Sequence, residues 1–397
     1  MIQFTSRRAY IQQSLKPNTA LLIRQPHALT RNHDVCYPFH PNRYFYYLSG
    51  FSEPNCWLLI TPKNCTLWSE ANNPKRSLWE GDVLAEQTTS VLSIDQWFDI
   101  TSFQQTIEPL LNGLDTLYHI GEKPSLPISL EDGTNLVRDL RIIKDPSEID
   151  AIRQACNISA EAHNHLMRHA KNTPHETALE GLFLQSVMAQ GVRSLAYPSI
   201  VASGKNACVL HYTDNNQPID PNSLVLVDAG CEFEQYASDI TRTFPANGQF
   251  SKHTQAVYEA CLDTQEAVIQ AVKPGVKLSE LNQLASRLIT EHLIKLNIIT
   301  SSLDEALNKQ IYKTYFPHGV GHTMGLDVHD IPLQDDTLQT GMVITIEPGI
   351  YIRESGPYQH IGVRIEDNIL VTHDGNENLT QAAVKAPDAI ISLMADD

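Results

Sequence analysis

The segment HGVGHTMGLDVHD, residues 318 to 330, gathers His318, His322 and His329 in one short stretch. Imidazoles ligate metals, move protons and donate hydrogen bonds, so their crowding points to chemistry. His318 and His322 stand four apart, the spacing that puts two side chains on one helix face. Gly319 and Gly321 argue against a helix, because a glycine costs about 1 kcal/mol in a helix interior. The residue after His318 is a glycine, where the helical zinc-protease motif needs glutamate. The segment is therefore expected to be a glycine-rich turn that carries imidazoles to a site. At most one of them need be a metal ligand.

Further ligands are expected among carboxylates on strands. In LVLVDAGCEFEQYASDITRTF an apolar strand ends in Asp228, a turn follows, and a second strand carries Asp239. Antiparallel pairing of these strands would turn both carboxylates toward one interior. MVITIEPGIY places Glu347 in an apolar strand stopped by Pro348 and Gly349. IGVRIEDNILV sets Arg364 and Glu366 two apart, on one strand face. A buried carboxylate without a partner protonates or finds a cation. Four such groups together carry about −4 charge, which two divalent cations offset and one arginine does not. Oxygen-rich ligation with a single imidazole favours ions such as Mn²⁺ over thiolate-bound zinc. Taken singly, each acid reads better as a strand-end residue or a salt-bridge partner. Taken with His322, the set points to a dinuclear site.

The elements that must position these residues follow from pattern. A chain of 397 residues predicts two domains. Up to about residue 140, short apolar runs (TALLIR, NCWLLI, DTLYHIG) read as strands between loops such as ANNPKRS. Near LRIIKDPSEIDAIRQAC a new unit begins: Asp145 is a good N-cap, Pro146 suits the first turn, and Glu148 sits at the capping-box position. That helix is expected to run to about Ala170, followed by helices in PHETALEGLFLQSVMAQG, SKHTQAVYEACLDTQEAVIQAV and LSELNQLASRLITEHLIKL. Strands at both ends of this half, with helices between them, predict an α+β domain.

Composition excludes several classes. The formal net charge of −17, from 46 acidic and 29 basic residues, repels nucleic acid and anionic membranes. The opening MIQFTSRRAYIQQSLK lacks the apolar run of a signal peptide, and no stretch approaches the roughly 20 apolar residues of a membrane span. Seven cysteines, scattered and without a CxxC pair, read as reduced core thiols of a cytoplasmic protein.

VDAGCEFEQYASDITRTFP, HGVGHTMGLDVHD, TIEPGIY and GVRIEDNILVT closely resemble the pita-bread metallopeptidases, and among them the aminopeptidase P family. The resemblance extends to YPFHPNRYFYYLSGFSEPNCWLLI, LWEG at 78–81, LNGLDTLYH and the ending GNENLTQAAVKAPDAI, so it covers nearly the whole chain. It implies an α+β fold, with a small α/β amino-terminal domain over residues 1–144 and a pita-bread catalytic domain over residues 145–397. Methionine aminopeptidases lack the first domain, and creatinase does not keep the metal ligands. The implied metal set is Asp228, Asp239, His322, Glu347 and Glu366, holding two divalent ions. Mn²⁺ is the ion expected, and Zn²⁺ or Co²⁺ could use the same ligands.

The resemblance further implies cleavage of the X-Pro bond at a peptide's amino terminus by a hydroxide shared between the metals. Glu347 would be ligand and general base, His329 would donate to the scissile carbonyl oxygen, and His318 and His211 would contact the proline side. Arg364 would orient carboxylates, and Tyr351 would join it. Trp79 would reach a neighbouring subunit's site, which implies a homo-oligomer, dimer or tetramer. Each role has an ordinary alternative: a ligand-only Glu347, structural histidines, a strand salt bridge, a packing tyrosine, a core tryptophan. Some family members carry an arginine beyond the DVHD segment. Residues 331 to 352 here contain no Arg or Lys, so contacts attributed to it are not expected. A dipeptide-specific prolidase shares the same ligands, and a catalytically silent peptide-binding module would typically have lost them.

Overall fold

The computed structural model describes residues 2–395 and divides into two compact units between Arg141 and Ile142. In the first, apolar runs become the inner strands of a six-stranded sheet. Its strands are β1 (Thr19–Gln25), β2 (Cys56–Ile60), β3 (Cys65–Ser69), β4 (Gln96–Asp99), β5 (Thr116–Ile120) and β6 (Ser129–Asp132), in the order β4-β3-β2-β1-β5-β6. Central β1 and β2 are buried at every position, which explains why residues 20–23 and 56–60 are continuously apolar and do not alternate. Trp57 stacks on Phe103 at 4.7 Å between ring centres beneath this sheet.

One detail differs from the sequence reading, and one of its alternatives falls. ANNPKRS is not wholly a loop, because Asn73 caps a helix, Pro74–Glu80, with Pro74 in its first turn. Trp79 on that helix is 78% exposed, so it is not a core tryptophan.

The second unit opens with α1 (Pro146–His169). The Asp145 carboxylate accepts the Ser147 and Glu148 N–H groups at 2.8 and 3.0 Å, and Glu148 accepts the Asp145 N–H at 3.0 Å. Next come α2 (Glu176–Ala189), α3 (Lys252–Ala271) and α4 (Leu278–Lys295). Each of the last two turns one apolar face inward, through Val257, Cys261 and Val268 or Leu281, Ala285 and Ile289. Strands β7 (Ile200–Ser203), β8 (Leu224–Asp228) and β9 (Thr241–Pro245) form one antiparallel sheet with β8 central. Strands β10 (Val343–Ile346), β11 (Gly349–Ile352), β12 (Ile361–Arg364) and β13 (Asp367–Val371) pair as β10 with β13 and β11 with β12.

These last pairings bend in step. Ile346 opposes Asp367 and Gly349 opposes Arg364, which leaves Glu347 and Glu366 at the break between the two ladders. Pro348 cannot donate to a ladder, so the break falls there. Glu347 therefore follows β10 and does not lie within it, and Asp239 lies two residues before β9 and not in a strand.

Directly behind Glu366, Asp367 is wholly buried. It accepts from Arg242 at 2.6 Å, Lys385 at 2.7 Å, Gln265 and Thr380 at 2.8 Å, and Asn378 at 2.9 Å. Arg242 also donates to the carbonyls of Thr241 and Glu366 at 2.9 and 2.6 Å, which locks the bend. Burial alone would raise the Asp367 pKa, but Arg242 and Lys385 hold it well below the carboxylate range. The Asp367→Asn variant strands a buried guanidinium and is expected to lose about 3–5 kcal/mol in thermal unfolding. Because the folded pKa is depressed, this stabilisation is present above about pH 4 and fades as pH falls toward the folded value. A loss under about 1 kcal/mol would show that the network does not hold the bend.

Six of the seven cysteines are buried, all are free, and Cys36 is exposed. No described helix is long and apolar enough to cross a membrane.

Candidate metal centre

The loop from His318 to Met324 lies against β10 and contains no helix, as its glycines predict. Thr345 clamps it: its N–H donates to the His322 carbonyl at 2.8 Å and its hydroxyl accepts the His322 N–H at 3.0 Å. Glu347 N–H donates to the Val320 carbonyl at 2.8 Å. Gly321 sits so close to β10 that a β-carbon there would collide with the Thr345 carbonyl oxygen. On the opposite side Asp228 pairs with Thr241 at the end of β8, and Glu366 N–H donates to the Thr241 carbonyl at 3.1 Å. Irregular backbone thus delivers Asp239, His322, Glu347 and Glu366, while rigid strands flank every one of them.

Ligand atoms of Asp239, His322 and Glu366 all lie within 4.8 Å of one another. His322 Nε2 is 3.5 Å from an oxygen of Asp239 and 3.5 Å from one of Glu347. That separation is long for a hydrogen bond. It matches two donors each about 2.1 Å from a shared ion. The side chains of Asp228, Asp239, His322, Glu347 and Glu366 line one cavity of about 380 Å³, together with those of His211, His318, His329 and Arg364.

The electrostatics decide whether metal suits this cavity. Burial and then repulsion from Asp239, Glu347 and Asp228 push the Glu366 pKa far above the carboxylate range. Burial likewise raises Glu347 to about 7, against the pull of His322 and Arg364. Asp228 is raised by burial and by Asp239, even though Arg364 opposes the shift. Burial disfavours charge on His322, but Asp239 and Glu347 beside it lift its pKa to about 9. Four carboxylates gathered out of water are short of positive charge, and the donor set is oxygens with one imidazole. The set fits a pair of hard or intermediate divalent ions.

Arg364 is not a surface partner. It is buried and donates to Asp228 at 2.6 Å, to the Thr241 hydroxyl at 3.0 Å and to the Tyr351 hydroxyl at 2.9 Å. Thr241 in turn donates to Glu366 at 2.7 Å. His318 Nδ1 faces the Gly319 carbonyl at 2.8 Å, which fixes the proton there and leaves Nε2 to accept from Tyr351 at 2.9 Å. Burial and the Arg364 charge lower the His318 pKa to about 4, in keeping with that neutral ring. The His329 ring sits 4.4 Å from that of His322, edge to face. His211 lines the same cavity, while Tyr351 lies buried just behind it.

Sequence reading missed two groups that touch the site. Tyr197 donates to Asp228 at 2.6 Å, and Thr241 links Arg364 to Glu366. Thr241 lies two residues after Asp239, so its neighbourhood was a signal; SLAYPSIV around Tyr197 offers none.

Residues 150–373 match the model of metallopeptidase family M24, and residues 4–118 match that of the aminopeptidase P N-terminal domain. The chain is 38% identical to the Xaa-Pro aminopeptidase of Haemophilus influenzae and 34% identical to that of Escherichia coli. Each alignment covers 99% of this chain and 97% of the relative. The fold matches zinc-substituted Escherichia coli aminopeptidase P in complex with product at a TM-score of 0.95, with 34% identity over 99% of this chain and 97% of that one. The α+β architecture, with an amino-terminal domain ahead of a catalytic one, is that of these relatives. With its carboxylate-rich centre at the meeting of two bent ladders and its family-type first domain, the chain belongs to metallopeptidase family M24.

Proposed function

We propose that this protein is a metal-dependent Xaa-Pro aminopeptidase, which removes the first residue from peptides with proline in second position. The observation that carries the proposal is the convergence of Asp228, Asp239, His322, Glu347 and Glu366 on one cavity that also holds three more histidines. Residues 145–397 would perform the chemistry and residues 1–144 would serve as the family's amino-terminal domain.

Those five side chains would hold two divalent ions, with Mn²⁺ preferred for the hard donor set and Zn²⁺ or Co²⁺ as substitutes. When bound, such a pair supplies hydroxide near neutral pH and polarises the scissile carbonyl. The chain's own groups do the rest. The Glu347 carboxylate takes up the proton released by the attacking water and returns it to the prolyl nitrogen, which has no proton of its own and must gain one to leave. His329 donates from its ring to the carbonyl oxygen as negative charge builds there. Neutral His318, held by Tyr351 and Gly319, and His211 at the cavity wall face the proline side. Arg364 favours the charged form of Asp228 and aims it, and pins Glu366 through Thr241.

The exposed Trp79 suits a role at a neighbouring subunit, so a homo-oligomer, dimer or tetramer, is part of the proposal. A cytoplasmic location fits the free thiols, and the net charge of −17 disfavours nucleic-acid partners.

The test is hydrolysis of X-Pro peptides of two to five residues after chelation and metal add-back. Peptides of three residues or more should be cleaved between the first residue and proline, and only with metal restored. Cleavage confined to dipeptides would assign a prolidase. Absence of cleavage with metal bound would end the proposal.

A further inference from the structure

The loop that carries His329 is fastened at its two ends. Thr323 accepts the Asp330 N–H at its carbonyl at 2.9 Å and donates from its hydroxyl to the Ile331 carbonyl at 2.8 Å. Between these points Gly325 N–H donates to the Asp327 carbonyl at 3.0 Å. Beneath the loop lies a charge pair outside the metal centre: Lys144 Nζ is 3.4 Å from Asp330 Oδ2. The two side chains are 2% and 1% exposed. Gly325 closes over the pair, since a β-carbon there would strike the Asp330 carboxylate and lie 2.9 Å from Lys144 Cε. Lys144 is itself anchored, because its N–H donates to the Gly341 carbonyl at 2.9 Å and the next residue is the cap of α1.

A buried ion pair is poor evidence for stability, since desolvation cancels much of its attraction. It is strong in direction, because both side chains are buried and the ammonium, which also faces the Ile142 carbonyl at 3.4 Å, draws the Asp330 carboxylate toward the start of α1. Asp330 follows His329 directly, so the pair sets where the His329 backbone, and hence its ring, can sit.

We infer that Lys144 and Asp330 are positioning residues for the reaction, acting through His329, an inference that rests on the role proposed above for His329. The side chain of Lys144 reaches the loop from the start of α1, and Asp330 transmits that anchor to the neighbouring histidine. Misplacing a donor by about 1 Å is enough to cost up to 100-fold in rate.

The experiment measures kcat, KM and bound metal on the full, metal-replete protein with an X-Pro tripeptide. K144M alone leaves a buried carboxylate one cation short and can fail to fold. The K144M/D330L pair therefore removes both charges, and K144R keeps the charge while altering its reach. K144M/D330L is expected to lose about 10- to 100-fold in kcat with KM and metal content near wild type, and K144R to lose less. H329A should lower kcat, and adding K144M/D330L to it should cost nothing further, since one histidine carries the whole effect. An unchanged kcat in K144M/D330L, or losses that add to those of H329A, overturns the positioning role while the reading of His329 stands. A fall in bound metal also overturns it, because the pair would then be acting through His322. A wild-type kcat in H329A sinks the reading of His329 and this inference with it.

Discussion

The Glu347→Gln variant is expected to fold, bind peptide and lose at least about 1,000-fold in kcat on an X-Pro tripeptide with metal in excess. Glutamine keeps the shape, and the anchor of residue 347 is its backbone N–H on the Val320 carbonyl, which the substitution leaves alone. What disappears is a basic oxygen. General base catalysis contributes about 100- to 10,000-fold, and loss of an anionic ligand weakens the hold on metal as well. The two contributions separate if bound metal is measured beside kcat. A protein with full metal content and a slow rate assigns the loss to proton transfer. Activity within about tenfold of wild type would remove Glu347 from the mechanism.

The second large effect is on stability, and its sign depends on pH. Glu366, Glu347 and Asp228 have pKa values raised by burial and mutual repulsion, Glu347 to about 7, whereas unfolded carboxyl groups titrate near 4. A carboxyl group whose folded pKa exceeds its unfolded one binds protons more tightly when folded. The metal-free protein therefore gains stability from these groups as pH falls from about 8 toward 4. His322, lifted to about 9 by the same carboxylates, adds in the same direction, because its contribution fades as pH rises through that value. Metal binding needs these groups deprotonated and so competes with the protons.

At about pH 8, metal at 1,000 times its Kd should stabilise the fold by about 4 kcal/mol, roughly 10 °C in Tm for a unit of this size. At about pH 5 the gap between metal-free and loaded protein should shrink to a small fraction of that. Acid-sensitive features elsewhere, such as the Asp367 network, act on both forms and cancel in the difference. Thermal scans with and without chelator across this range provide the measurement. A gap that stays constant or widens in acid would mean that the carboxylates are not the metal's ligands.

Much of the fold was legible because local pattern reports burial. The apolar runs of β1 and β2, the capping box of α1 and the helices α3 and α4 all lie where their patterns predicted. ANNPKRS was misread because Asn73 and Pro74 carry the same helix-start chemistry as Asp145 and Pro146 in a more polar setting. Trp79 was ambiguous because hydrophobicity alone does not say whether a side chain is covered by its own chain.

The site divides along the same line. Residue types and short motifs by themselves determined that carboxylates sat in apolar surroundings, that the HGVGH segment could not be helical, and which family the chain resembles. Only the tertiary structure decided that Asp239, Glu347 and Glu366 occupy irregular backbone at strand edges, that Tyr197 and Arg364 share Asp228, and that Lys144 lies under the His329 loop. The reason is range: periodicity encodes which face of an element is covered, over a turn or two of chain. The bends of β10 with β13 and of β11 with β12 arise where two ladders meet, one pairing Ile346 with Asp367 and the other Gly349 with Arg364, and the Lys144–Asp330 contact spans most of the second unit. No local pattern records such a meeting.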